Sequence, residues 1–523
     1  MRVLLIYPIF PKTFWSYDKI LELVNRKVLL PPLGLVTVAA LLPQDWEFTL
    51  VDRNIRDVTA AEWDSADLVI LSAMIVQKND LLGQIQAAKQ RGKLVAVGGP
   101  YATSLPKEIK NAGADFLILD EGEITLPQFV AAWQQGATHG TFRATEKPDV
   151  TQTPIPRYDL LELDAYDSMS IQFSRGCPFQ CEFCDIIVLY GRKPRTKEPE
   201  QLLKELDYLY ELGWRRGVFM VDDNFIGNKR NVKRLLNALK TWQADHQYPF
   251  RFNTEASIDL AADTELMDLM VQCNFDAVFL GIETPDEASL TLTKKYQNTR
   301  NALIDSVDQI IRAGLRPMAG FIIGFDGEKI GAGSRIIDFV EQASIPTAMF
   351  GMLQALPNTA LWHRLEEEGR LQQSDRQDIN QTTLMNFVPT RPIEDIAQEY
   401  ITAFWELYDP DCYLDRAYRC FLKLKPPQCH PPFQFPSWVD IRALAIVIWR
   451  QGIKRQTRWK FWHHLFGILR QNPGVWELYL TLCAHNEHFL EYRQIVRDEI
   501  EQQLQEFQSQ QVNHPSFVSH QSN

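Results

Sequence analysis

The sequence predicts an α/β protein in three parts: an amino-terminal doubly wound parallel sheet, a central partial (β/α)6 barrel and a mainly α-helical carboxyl-terminal domain. Three observations predict it. Short apolar runs alternate with helical patterns over residues 1–136, a three-cysteine motif at Cys177, Cys181 and Cys184 closes a strand-like run and is followed by further such runs, and beyond residue 385 only helical patterns remain. At 523 residues the chain is too long for one core. The boundaries read 1–136 for the sheet domain, 137–158 for a linker, 159–385 for the barrel, 386–511 for the helical domain and 512–523 for a disordered Gln/Ser/His-rich tail.

In the first part the runs Val3–Tyr7, Phe48–Val51, Leu68–Leu71, Leu94–Val97 and Phe116–Leu119 are spaced for five parallel strands with helices between them. Such sheets bind ligands beyond the carboxyl ends of their strands, which here carry Asp52-Arg53-Asn54, Ser72 and the pair Gly98-Gly99. Paired glycines let backbone approach a bulky ligand. The stretch from His139 to Arg157 is polar and holds Pro148, Pro154 and Pro156, which suits a connection.

The barrel begins with Met169–Phe173, an alternating run that places the motif at the carboxyl end of a strand, where barrel enzymes build their sites. Three thiolates at Cys-x-x-x-Cys-x-x-Cys suit three corners of a 4Fe-4S cluster and leave one iron open for chemistry. Zinc calls for four ligands in paired units, and no second pair exists. Five more strands follow at Gly217–Val221, Phe250–Thr254, Ala277–Leu280, Pro317–Ile323 and Ala348–Leu353. Their ends carry Asp222 and Asp223, Glu255 and Ser257, Gly281 and Glu283, then Gly320 and Gly324. Tyr190-Gly191-Arg192 and Arg195 lie just past the motif, where the arginines suit a carboxylate or phosphate.

The motif Ser174-Arg175-Gly176-Cys177-Pro178-Phe179-Gln180-Cys181-Glu182-Phe183-Cys184 resembles that of the radical S-adenosylmethionine (SAM) family. The resemblance implies that S-adenosyl-L-methionine chelates the open iron and is cleaved to a 5'-deoxyadenosyl radical. It also implies that Asp222 and Asp223 lie near the amino group of S-adenosylmethionine, Glu255 near its ribose and Gly320 to Gly324 near its adenine. With the sheet domain in front, the order resembles the cobalamin-dependent subclass, in which the serine and glycine pair line a slot for the nucleotide tail of cobalamin. Asp120-Glu121-Gly122-Glu123 resembles the acidic segment that ends such domains.

One departure concerns the cobalt. Where many cobalamin proteins carry a histidine in Asp-x-His-x-x-Gly, this chain reads Asp52-Arg53-Asn54, and its first histidine is His139. The lower face of the cobalt is therefore expected to be open, water-bound or covered by an apolar side chain, a state that favours release of an alkyl group towards a radical.

Phe14-Trp15, Pro32-Leu33-Gly34-Leu35, Ile226-Gly227-Asn228-Lys229 and Ala355-Leu356-Pro357-Asn358-Thr359 resemble the hopanoid C-2 methylase group. The implied activity is methylation of an unactivated carbon, with a lipid as substrate and a flavodoxin or ferredoxin as electron donor. Three rivals stand beside it. A methylthiotransferase needs a cysteine set before the barrel, and none precedes Cys177. A tetrapyrrole ring cyclase shares the domain order, and a cobalamin sensor with a reporting cluster needs no turnover.

Net charge of −12 argues against general nucleic-acid binding. Eight cysteines without a framework suit a reducing cytoplasm. The opening apolar run ends at Pro8, too short for a signal peptide, and no stretch approaches the length of a membrane span. From Ile441 to Gln471 seven basic residues and no acidic one interleave with Trp449, Trp459, Trp462 and Phe466, which suits either an interfacial membrane contact or a helical domain with outward arginines. Glu487 to Gln508 reads as a charged helix.

Overall fold

The computed structural model describes residues 1–372, 379–429, 432 and 435–513. The first sheet holds six parallel strands, β1 (Arg2–Tyr7), β2 (Glu47–Asp52), β3 (Leu68–Ser72), β4 (Leu94–Gly98), β5 (Phe116–Ile118) and β6 (Gly140–Phe142), in the order β2-β1-β3-β4-β5-β6. Five of these match the runs read from sequence. The sixth lies inside the expected linker, where Gly140-Thr141-Phe142 is too short and polar to stand out, and Phe142 packs on Phe129. The order reverses between β1 and β3, so the crevice for a ligand lies at the carboxyl ends of these strands.

The barrel sheet runs β14-β13-β12-β11-β10-β7, all parallel. Its strands are β7 (Ser168–Ile171), β10 (Gly217–Met220), β11 (Arg251–Ala256), β12 (Phe275–Glu283), β13 (Arg316–Ile323) and β14 (Thr347–Met352). Between β7 and β10 a short antiparallel pair, β8 (Ser174–Arg175) with β9 (Arg195–Thr196), braces the cysteine loop. Six strands do not close a barrel. Residues from the first domain line the seam: Lys27 and Val28 donate to the Ala165 carbonyl, and Ser168 donates to that of Leu29.

Phe14 and Trp15 divide the work of this segment. Phe14 is fully buried and packs against Phe404, Tyr408, Phe489 and Tyr492, whereas Trp15 packs edge-on to Phe279 and donates to Met349 Sδ at 3.2 Å. One residue anchors the strap to the helical domain; its neighbour becomes a wall of the barrel interior. A continuous apolar core joins the inner face of the first sheet, the barrel and the carboxyl-terminal helices, while a second, smaller core covers the outer face of the first sheet.

The helical domain includes Pro410–Lys423, Trp438–Trp449, Arg458–Gln471 and the 38-residue helix Trp476–Asn513. This last helix starts about three turns before the charged stretch that announces it, because its early residues Tyr479, Leu482 and Cys483 are core. Of the expected tail, residues 514–523 lie outside the described residues, and Val512 and Asn513 end the helix. Among the described residues no helix is long and apolar enough to cross a membrane.

Candidate active site

A cavity of about 1270 Å³ runs from the carboxyl edge of the first sheet into the barrel interior. Ser72, Gly98, Gly99, Asp223 and Glu255 line it, so the structure brings residues read from two separate domains onto one space. Trp15, Phe279, Met318 and Met349 give its barrel part an apolar wall.

At the sheet end the backbone itself makes the cradle. Gly99 has φ +88°, and a Cβ on it would lie 2.4 Å from Ser72 Oγ; one on Gly98 would lie 2.9 Å from the Ile118 carbonyl. Only two hydrogen-sized side chains leave this wall intact. Asn54, where the sequence lacks a histidine, is engaged on every side: its amide donates to Asp52 Oδ1 at 2.7 Å and to the Pro8 carbonyl at 3.2 Å, and its oxygen accepts from Phe10 N–H.

The cysteine loop leaves β8 through Gly176, whose φ is +93° and whose missing Cβ would meet the Gly191 carbonyl at 2.8 Å. Cys181 is buried and Cys177 and Cys184 are half-buried. Burial pushes the Cys177 and Cys184 thiols up, and each is raised further by the neighbouring cysteines. Two thiols that resist separate ionisation, grouped with the buried Cys181, suit a shared cationic centre, which favours the thiolates.

Two amides point at these sulfurs, and the sequence reading did not single out either. Asn224 Nδ2 lies 3.8 Å from Cys177 Sγ, and Gln297 Nε2 lies 3.6 Å from Cys181 Sγ. Asn224 is the third residue of the strand-end turn Asp222-Asp223-Asn224, which the resemblance places at the amino group of S-adenosylmethionine and not at a sulfur. Gln297 comes from a helical excursion 116 residues away and leaves no local signal.

The strand-end residues fall into different surroundings. Asp222 does not line the cavity; it accepts from Phe173 N–H at 2.8 Å and from Ser174 N–H at 2.7 Å, holding the root of the cysteine loop. Burial pushes its pKa up to about 7. Asp223 accepts from Gly176 N–H at 3.1 Å and faces the cavity, with burial raising it to about 6. Glu255 is raised to about 8, by burial first and then by Asp223, Asp222 and Glu283.

Ser257 accepts from Asn224 Nδ2 at 3.2 Å and donates to Asp259. Glu283 pairs with Lys295, beside Gly281, and the Lys295 ammonium feels Cys181 and Cys184. Gly320 sits under the Phe279 ring, and Gly324 faces Met385 while its N–H donates to Glu328.

The two domains meet through charge. Arg175, the residue before Gly176, pairs with Glu121 and Glu123, and Arg195 pairs with Glu121 at 2.8 Å. The partner of Arg195 is thus a carboxylate of this chain. On the other flank Arg364 joins Glu182 to Asp326.

Comparison with known proteins agrees with this architecture. Residues 22–130 match the B12 binding domain, 171–340 the Radical SAM superfamily and 359–502 a domain of unknown function. An uncharacterized methyltransferase of Synechocystis sp. is 75% identical over 98% of this chain and 95% of its own length. The hopanoid C-2 methylase of Rhodopseudomonas palustris is 33% identical over 94% of this chain and 93% of its own. Among solved structures, TsrM from Kitasatospora setae with cobalamin and a [4Fe-4S] cluster bound superposes with a TM-score of 0.61 at 15% identity, covering 94% of this chain and 99% of that one. OxsB with aqua-cobalamin and S-adenosylmethionine bound gives 0.60 at 16% identity, covering 96% and 81%.

The cofactors are a 4Fe-4S cluster, S-adenosylmethionine and cobalamin, and the glycine cradle and the clustered thiols suit two of them directly. A B12 domain, a radical SAM barrel and full-length similarity to a methylase together place this chain in the family of cobalamin-dependent radical SAM methyltransferases.

Proposed function

We propose that the substrate is a lipid of the hopanoid type, methylated at an unactivated ring carbon. The observation that carries this reading is the cavity: about 1270 Å³ exceeds the roughly 300–1,000 Å³ of an ordinary ligand pocket, and its barrel part is walled by Trp15, Phe279, Met318 and Met349. A rigid apolar substrate fits such a wall. The hopanoid C-2 methylase of Rhodopseudomonas palustris is a full-length relative.

Cys177, Cys181 and Cys184 are assigned to the cluster, and Ser72, Gly98 and Gly99 to the nucleotide tail of cobalamin. When bound, these cofactors supply hydrogen abstraction and the methyl group. The chain's own part is placement. Asp223 and Glu255 offer carboxylates to the ammonium and ribose hydroxyls of S-adenosylmethionine, which favours their charged or acceptor forms. Asp222 holds the loop root, Asn224 and Gln297 donate towards two cysteine sulfurs, and the apolar wall excludes water from a reactive carbon.

The helical domain suits delivery from a bilayer surface. Trp438, Trp449, Trp459 and Phe466 are 78%, 58%, 74% and 63% exposed, and Lys454, Arg458 and Arg470 are exposed among them. Trp462 does not belong to this face, since its indole donates to the Gly452 carbonyl. Exposed tryptophans with cations fit the headgroup region of an anionic membrane. Flotation with anionic vesicles tests it: protein left at the bottom of the gradient ends the membrane contact.

A flavodoxin or ferredoxin is the proposed electron donor. The deciding experiment incubates the anaerobically reconstituted protein with S-adenosylmethionine, reductant and a pentacyclic triterpene. A product heavier by one methylene is expected. No methylated triterpene, or an oxidised tetrapyrrole in a parallel incubation, sinks the reading.

A further inference from the structure

The cavity contains a polar seat that neither the cofactors nor the strand-end residues explain. Five cations line the cavity: Lys12, Lys27, Arg53, Arg175 and Arg316. Lys12 pairs with Glu491 and Asp18, Lys27 donates to the Ile55 carbonyl, Arg53 pairs with Asp57 and Asp80, and Arg175 pairs with Glu121 and Glu123. The Arg316 backbone is paired in the sheet, but among the described residues its side chain makes no hydrogen bond or ion pair.

Its position is specific. Arg316 is the first residue of β13, and Ser168 and Thr347 are the first residues of β7 and β14. All three line the cavity at the amino end of the barrel, and His485 of the long carboxyl-terminal helix lines it too. Ser168 Oγ, Thr347 Oγ1 and His485 Nδ1 are each buried without a hydrogen-bond partner. Buried polar atoms are nearly always satisfied, so several unsatisfied ones around one space point to a ligand that completes them.

Among the described residues no carboxylate lies within ion-pair distance of Arg316, although Asp18 lines the same cavity and pairs with Lys12. The Arg316 charge acts on Tyr17, Cys420 and His485. Burial holds the Tyr17 phenol and the Cys420 thiol protonated and keeps His485 neutral, with its pKa lowered to about 3. Tyr17 and His485 stack with ring centroids 4.6 Å apart, which fixes the floor of the space.

We propose that Arg316, with Ser168, Thr347 and His485, seats the oxygen-bearing end of an elongated amphiphile whose apolar body fills the barrel and whose far end reaches the cofactors. The eight residues of β13 span roughly 23 Å between this seat and the carboxyl face, at about 3.3 Å per residue. The substrate is therefore held by the end opposite to the carbon that reacts. This deepens the lipid reading above and rests on it for the identity of the body. It adds a rule of selection: a hydroxylated side chain is preferred over a bare hydrocarbon of the same ring system.

The test is equilibrium binding of two pentacyclic triterpenes, one with a hydroxylated side chain and one a hydrocarbon, to the full-length holoprotein without reductant. Wild type is expected to bind the hydroxylated compound about tenfold tighter or more, since a charged donor then loses its only partner when the oxygen is absent. Arg316→Met removes the difference by weakening only the hydroxylated compound, Arg316→Lys restores part of it, and Thr347→Val removes a smaller part. Unchanged hydrocarbon affinity certifies that each variant keeps its fold. Equal affinities in wild type, or a preference that survives Arg316→Met, overturn the seat. A parallel turnover assay separates the two readings: methylation with equal affinities overturns the seat alone, and the preference without methylation overturns the lipid methylation alone.

Discussion

The Arg175 guanidinium lies 2.9 Å from Glu123 and 2.9 Å from Glu121, and this pairing fastens the end of the first domain to the root of the cysteine loop. The Arg175 side chain is 12% exposed and its two partners less, so the charges are largely out of water. Removing one member of such a set leaves a buried charge without compensation. Arg175→Met is expected to destabilise the protein by about 3 kcal/mol in chemical unfolding, with Arg175→Met/Glu123→Gln recovering part of the loss. A single variant as stable as wild type would show that the pairing is not structural.

The cradle at the sheet end makes a separable prediction. Gly99→Ala puts a methyl group 2.4 Å from Ser72 Oγ on a backbone with φ +88°, a conformation costing a residue with a side chain about 1–2 kcal/mol. Cobalamin retention, read from the corrinoid absorbance after desalting, should fall at least tenfold while iron and sulfide content stays at the wild-type level. Ser72→Ala/Gly99→Ala removes the clash but not the strained φ, so it should recover only partly. Equal loss of iron and corrinoid would point to general unfolding instead.

Much of this was legible in the chain because strands write themselves locally. Val3–Tyr7 and Leu68–Leu71 are apolar runs buried on both faces, and the cysteine spacing is a local signature. What lies between distant segments was not legible. The pairing of Arg195 with Glu121, the approach of Gln297 to Cys181 and the unpaired Arg316 are tertiary facts, and no period or spacing encodes them. Asp222 and Asp223 show the limit most directly: adjacent and identical in sequence, one faces the backbone of the loop and the other the cavity. β6 escaped because three residues paired on one edge need little apolar signal.

Glu255 links pH to stability with a sign opposite to that of a salt-bridged carboxylate. Its pKa in the folded protein is about 8 against an ordinary 4.5, raised by burial and by Asp223, Asp222 and Glu283. Between those values the folded state holds a proton that the unfolded chain has lost, so stability falls as pH rises from about 4.5 to about 8. Cofactor-free protein should therefore melt at lower temperature at pH 8 than at pH 5.5. Glu255→Gln cannot ionise and should flatten that slope while weakening S-adenosylmethionine binding to the holoprotein. A variant with the wild-type slope would show that other carboxylates carry the dependence.

Asn54 bears on the cobalt itself. Its side chain makes three bonds within the strand-end turns, to Asp52, Pro8 and Phe10, and is not a free ligand. Among the described residues the only histidine lining the cavity is His485, which belongs to the floor at the amino end of the barrel strands and stacks on Tyr17. An imidazole so placed is at the opposite end of the barrel strands from the carboxyl face, where a corrinoid held by Gly98 and Gly99 would lie. The cobalt(II) form of the reconstituted protein should therefore give an electron paramagnetic resonance spectrum without nitrogen superhyperfine splitting from a protein imidazole. His485→Phe should leave that spectrum unchanged. Protein grown on nitrogen-15 histidine provides the control: any splitting that changes with the isotope would identify an axial histidine and overturn the assignment of an open, water-bound or apolar lower face.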